Sequence, residues 1–164
     1  MTHIKSSAHR VLLIVVMALF AGSVLPMPAA AAETQTELQR LLRIANAEIG
    51  SRYAFASTGP TTFDCSGFVF YTFKQAGLLD RIGNKRRTVA GYHNWFRNNG
   101  TVTQGISTAR PGDVLIWGRD KHTGIYIGNG YAISALVNPY GVRVHRYDRI
   151  SLRLTAVLRV RLQR

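Results

Sequence analysis

From Thr34 to Gly50 apolar residues return every three or four positions, with Leu38, Leu41, Leu42, Ala45 and Ile49 on one stripe. That period predicts an amphipathic helix. Thr34 and Glu37 have capping-box spacing, and Gly50 suits the stop. Residues 51–63 have no period and carry Gly59-Pro60 among Ser and Thr, so they read as a loop. A second helix is predicted from Cys65 to about Gln75, with Phe68, Val69, Thr72, Phe73 and Ala76 inward and Gly77 at its end. A shorter third helix is predicted from Thr88 to Arg97.

Beyond Gly100 the period falls to two. Residues 113–118, 123–128, 131–137, 142–147 and 154–162 are rich in β-formers and separated by turns such as Gly128-Asn129-Gly130 and Asn138-Pro139-Tyr140-Gly141. The last run alternates, with Leu154, Ala156, Leu158, Val160 and Leu162 on one side and Arg159 and Arg161 on the other. Helices first and closely linked strands later predict an α+β fold in which N-terminal helices pack on an antiparallel sheet of five to six strands.

The composition fits one such domain: 164 residues, 46% hydrophobic, 18% charged. The outlying quantity is charge, with 21 Lys+Arg against 8 Asp+Glu, a formal +13. Residues 1–32 predict an export signal: a basic head (Lys5, His9, Arg10), an uncharged run from Val11, then Ala29-Ala30-Ala31-Ala32 for cleavage. A retained membrane anchor is the competing reading, weakened by Gly22, Pro26 and Pro28. A single domain is then expected over residues 33–164. Cleavage removes Lys5 and Arg10, leaving 19 basic and 8 acidic residues and a net charge of +11. A secreted, extracytoplasmic monomer of that charge is expected to be drawn to anionic cell-wall polymers. No nucleic-acid-binding module, metal-ligand cluster or nucleotide loop is apparent, so no cofactor, metal or specific nucleic acid is expected. The basic run 83–87 reads first as a solvated turn.

The chain has one cysteine, Cys65, so an internal disulfide is excluded. It sits in Phe63-Asp64-Cys65-Ser66-Gly67-Phe68, where loop becomes helix. A thiol at a helix N-terminus meets unpaired amide donors and the positive end of the dipole, which favours thiolate and offers an oxyanion site. A base must accompany it. Residues 33–164 hold three histidines, His93, His122 and His145. His93 reads as a surface or packing residue within a helix. His122 opens a strand, and the small Thr123 and Gly124 beside it suggest room for a substrate. A thiol and an imidazole so arranged suit nucleophilic acyl transfer.

At these residues the sequence resembles the NlpC-type cell-wall peptidases, a papain-like family of bacterial peptidoglycan endopeptidases. The matching runs are Asp64-Cys65-Ser66-Gly67-Phe68-Val69, Arg110-Pro111-Gly112-Asp113-Val114, and His122 through Gly130. The resemblance implies a papain-like fold and hydrolysis of a stem-peptide amide, commonly between γ-D-glutamate and a diamino acid. By position it implies Cys65 as nucleophile and His122 as base and then acid. It implies Tyr53 as a hydroxyl donor near the oxyanion or substrate, and Asp64 and Ser66 as substrate-binding neighbours. Arg87-Thr88 falls where the family often has a similar pair, which makes Arg87 a substrate-binding candidate. Two other readings use the same residues: a non-catalytic wall-binding module, and a different thiol amidase or acyltransferase on this scaffold.

One position departs from the family. The residue that orients the base usually lies twelve positions after the histidine and is typically His, with Asn, Gln or Glu as variants. Here it is Ser134. His145 is a possible substitute: pairing 137 with 142 across the Asn138–Gly141 turn would set 134 opposite 145, on one face. A one-residue slip would put His145 on the other face.

Overall fold

A computed structural model of the protein describes residues 35–164, so the predicted export signal lies outside the described residues. Helix α1 (Glu37–Ala47) starts later than its periodicity suggests. Its capping box is Thr36 with Gln39: the Thr36 hydroxyl accepts from the Gln39 N–H at 3.2 Å, and Gln39 Oε1 accepts from the Thr36 N–H at 2.9 Å. The expected pair Thr34 and Glu37 has the same spacing, but Thr34 lies outside the described residues. Glu37 is occupied elsewhere, pairing with Arg81 at 2.9 Å and accepting from the Gln163 N–H. The buried stripe is Leu41, Ile44 and Ala45, while Ile49 lies past the helix and is exposed.

Residues 51–63 are less loop-like than the sequence suggests. Strands β1 (Arg52–Tyr53) and β2 (Thr62–Phe63) pair in parallel, two residues each. Helix α2 follows at once and spans Cys65–Gln75, as its pattern predicts. Phe68, Val69 and Phe73 are fully buried, and each such side chain contributes about 2 kcal/mol when removed from water. Helix α3 (Val89–Asn99) is capped by Thr88, whose hydroxyl accepts from the Gly91 N–H.

The main sheet is antiparallel and six-stranded, in the order β3-β8-β4-β5-β6-β7. Its strands are β3 (Thr101–Thr103), β4 (Val114–Trp117), β5 (His122–Gly128), β6 (Tyr131–Leu136), β7 (Gly141–Arg146) and β8 (Leu154–Arg159). The edge strand β3 is too short to show an alternation and escapes the sequence reading. One face carries Ile116, Ile125, Ile133, Ala156 and Leu158 against the helices. The other face buries a smaller cluster, Leu115, Trp117, Tyr126, Ala132 and Val157. Val157 is thus inward on the face that alternation assigns to polar residues.

The turn Arg110–Asp113 is tied to β8 by one buried carboxylate. Asp113 accepts from the Arg110 N–H (2.9 Å), the Val160 N–H (3.0 Å) and Arg159 Nε (2.9 Å). This clamp fixes where β4 begins, and hence the β4–β5 hairpin that presents His122.

Candidate active site

Cys65 is the first residue of α2 and is partly buried. Its position follows from Asp64, the N-cap, whose Oδ1 accepts from the Gly67 N–H at 2.6 Å and the Ser66 hydroxyl at 2.8 Å. Asp64 Oδ2 receives Arg86 Nη2 at 2.6 Å. Gly67 is required for contact: a Cβ there would collide with the Ser57 carbonyl, which also accepts from the Asp64 N–H. The first turn of α2 is therefore locked to the preceding loop on both sides.

These contacts place three of the candidate substrate-binding residues. Asp64 and Ser66 are buried and hydrogen-bonded within the chain, where they cap and brace the cysteine. Arg87, the substrate-binding candidate, instead donates to the Gly83 carbonyl at 3.0 Å and lies over the Trp95 ring. The arginine that meets the site is its neighbour, Arg86. Nothing in the residue types separates two adjacent arginines.

The thiol is less acidic than its helix position alone suggests. Burial pushes Cys65 up, and the Asp64 charge adds to this. The N–H groups of Thr123, Ser66 and Cys65 itself pull the other way without overcoming burial. Helix α2, with Cys65 at its first turn, packs directly against β5, the strand that opens with His122. Tyr53 stands on the same side: burial raises its hydroxyl, and the charges of Cys65 and Asp64 add to it.

His122 is buried, and its Nε2 lies 2.9 Å from Ser134 Oγ. Burial, then the like charge of His145, push its pKa down to about 4. Ser134 Oγ lies 2.8 Å from His145 Nε2, and His145 Nδ1 lies 2.9 Å from the Arg146 carbonyl oxygen. The structure thus brings Ser134 and His145 to His122, but not through the expected register. Ser134 pairs with Arg143, and Ala132 with His145. The turn sits one residue earlier on each strand than supposed, a shift of two in register. That shift preserves faces, so His145 reaches Ser134 diagonally rather than from directly opposite.

Two further features carry no sequence signal of their own. Trp117 packs against both imidazoles, with ring centroids 5.5 Å from His122 and 5.8 Å from His145. Its indole N–H donates to the Tyr147 carbonyl. The space left by Gly124 is taken by β6 rather than a substrate, since a Cβ there would lie 2.6 Å from that of Ser134. His93 is not a free surface residue: its Nδ1 lies 2.7 Å from Asp120 Oδ1, in the turn that leads into His122. A groove of about 650 Å³ opens behind the histidines, bounded by His122, His145, Lys121, Arg143 and Leu152.

The model of the NlpC/P60 family matches residues 50–159. The chain belongs to that family. Among curated relatives, a probable endopeptidase p60 of Listeria seeligeri is 38% identical over 109 residues, covering 65% of this chain and 18% of the relative. The chain spans about a fifth of the length of the p60 relatives it matches. The NlpC/p60 domain of the peptidoglycan hydrolase SagA superposes with a TM-score of 0.59 at 25% identity, covering 75% of this chain and 98% of that one. RipD of Mycobacterium tuberculosis, described as a non-catalytic NlpC/p60 domain protein adapted to peptidoglycan binding, shares the fold. Its TM-score is 0.60 at 19% identity, with 77% and 98% covered. The α+β, papain-like architecture is thereby shown; NlpC/P60 membership alone does not separate hydrolase from binder.

Proposed function

We propose that this NlpC/P60 chain is an exported cysteine endopeptidase that hydrolyses an amide bond of peptidoglycan stem peptides. The bond the resemblance favours joins γ-D-glutamate to a diamino acid. The observation that carries the reading is that the chain's sole thiol heads α2, the helix packed against β5, the strand that opens with the buried imidazole of His122. Relatives named as probable endopeptidases support the reaction class.

The electrostatics favour a neutral resting pair. Burial raises the thiol and lowers the imidazole, so neither charge is stable before a substrate arrives. His122 Nε2 is engaged with Ser134, which leaves Nδ1 as the acceptor. As Sγ attacks the amide carbon, its proton passes to His122 Nδ1 and the carbonyl electrons move onto oxygen. The amides at the head of α2 and the Tyr53 hydroxyl receive that oxyanion. Collapse breaks the C–N bond, and the imidazolium returns its proton to the departing amine. Water then attacks the thioester, gives a proton to His122, and releases a carboxylic acid and the free thiol. The net cationic charge draws the domain to anionic wall polymers.

Digestion of purified sacculi by the wild type and by Cys65→Ala, with fragments identified by mass, tests this. Wild type is expected to release cut stem peptides, and Cys65→Ala to lose at least about a thousandfold in rate. Wall binding without cleavage by the wild type would instead favour a binding module of the RipD kind.

A further inference from the structure

The family's orienting position is filled here by a serine, yet that serine does not end the hydrogen-bond chain. Three contacts run in series from His122 Nε2 through Ser134 Oγ and His145 to the Arg146 carbonyl, at 2.9, 2.8 and 2.9 Å. Their proton directions follow from the last member. A carbonyl oxygen only accepts, so His145 Nδ1 carries hydrogen and, in a neutral ring, His145 Nε2 holds a lone pair. The Ser134 hydroxyl must then donate to His145, and its oxygen accepts from His122 Nε2–H. His122 is left with its lone pair on Nδ1.

We propose that His145 is a positioning residue that acts through Ser134 to hold His122 in the tautomer whose Nδ1 can take a proton from the thiol. This rests on the reading that His122 serves Cys65. Serine alone cannot enforce that direction, because a hydroxyl donates as readily as it accepts. Without His145 the hydroxyl is free to donate to Nε2, which moves the imidazole hydrogen to Nδ1 and blocks the acceptor. Trp117 cannot replace the lost acceptor, since its indole has only an N–H to donate and gives it to the Tyr147 carbonyl. Several groups bear on the charge of His145. His122 faces it across the sheet and Arg143 on its own strand, while Lys121, Arg146 and Arg149 line the adjoining groove. Burial, opposed by the Arg146 carbonyl and aided by Arg143, lowers its pKa and keeps the ring neutral.

The test uses the full chain and its single thiol. The rate of Cys65 alkylation by iodoacetamide is followed by mass from pH 5 to 9 for the wild type, His145→Leu, His145→Gln, Ser134→Ala and the Ser134→Ala/His145→Leu pair, with His122→Gln as the floor. Both His145 variants remove the imidazole, but only leucine removes the acceptor. Near pH 7 His145→Leu and Ser134→Ala are each expected to slow alkylation at least about tenfold, within the roughly 10⁴-fold that a fully wrong tautomer costs a nucleophile–histidine pair. The pair is expected to be no slower than either alone, because the two act in series, and His145→Gln to stay within about twofold of wild type, since glutamine keeps the acceptor. A His145→Leu profile that overlays the wild type, losses that multiply in the pair, or glutamine as slow as leucine would each overturn the proposal. If alkylation behaves as expected while no muropeptide is cut, the endopeptidase reading fails and the relay stands.

Discussion

The two sides of the site are held by different forces. On the helix side, Cys65 is fixed by charge: the Asp64 carboxylate caps α2 and is paired with Arg86 at 2.6 Å. On the sheet side, His122 is fixed by uncharged partners, the Ser134 hydroxyl, the His145 ring and the Trp117 face. A buried ion pair is costly to halve, whereas neutral hydrogen bonds are each worth about 1 kcal/mol and tolerate loss better. The helix side therefore carries rigidity, and the sheet side holds its imidazole without a fixed charge. The contrast also explains why burial, aided by the like charge of His145 and opposed by no carboxylate, drives the imidazole neutral.

That neutrality gives the largest expected effect. His122 titrates near 4 in the folded chain against about 6.5 unfolded, so the unfolded state takes up the proton first as pH falls. The stability due to neutral His122 is complete above about pH 6.5 and is lost as pH drops through about 4. A shift of this size corresponds to something on the order of 3 kcal/mol. Thermal unfolding of the wild type and His122→Gln at pH 7 and pH 4 checks it, because the carboxylates common to both cancel. The wild type is expected to lose more stability across that window than the variant. Equal losses would show that burial does not hold the ring neutral.

Next is the charged side. Arg86→Met leaves the Asp64 carboxylate buried with only the Gly67 N–H and Ser66 hydroxyl as partners. A fully buried pair broken this way costs 3–5 kcal/mol, and the one-third exposure of Arg86 discounts that to about 2 kcal/mol. Ser134→Ala on the neutral side should cost about 1 kcal/mol. Urea unfolding of the two variants compares them directly. A serine loss larger than the arginine loss would reverse the assignment of rigidity.

The helix side was also the more legible in the sequence. Asp64 and Gly77 bracket α2 with unambiguous signals, and its limits follow from them. The long strands β4 to β8 were visible as runs of β-formers, although the apolar run Val114–Trp117 is buried on both faces and hides which way Trp117 points. What stayed hidden has physical reasons. The spacing that Thr34 shares with Glu37 recurs in Thr36 with Gln39, so spacing alone does not point to the box that caps α1 at Thr36. Two-residue strands such as β1 and β2 have no period to detect. Arg86 and Arg87 differ only in which carboxylate or ring their backbone aims them at. The β6–β7 register depends on where a four-residue turn settles, and the side-chain period of two forgave that error because the displacement was even.

The smallest effect concerns the turn that leads into β5, which lies outside the relay. Between Trp117 and His122 the turn places Gly118, Arg119 and Asp120 in succession at positive φ. Asp120, at φ 70°, tolerates that conformation better than most residues and also holds His93 of α3 at 2.7 Å. The two contributions separate by substitution. Asp120→Asn keeps both the left-handed tolerance and a hydrogen-bonding side chain, so its stability should match the wild type to within about 0.5 kcal/mol. Asp120→Gly frees the backbone but loses His93, and should be intermediate. Asp120→Ala loses the contact and strains the turn, for about 1–2 kcal/mol in all. Urea midpoints should therefore fall in the order Asn, Gly, Ala. If alanine matched asparagine, neither the backbone nor the His93 contact would be holding the turn, and the position of His122 would rest on the Ser134 side alone.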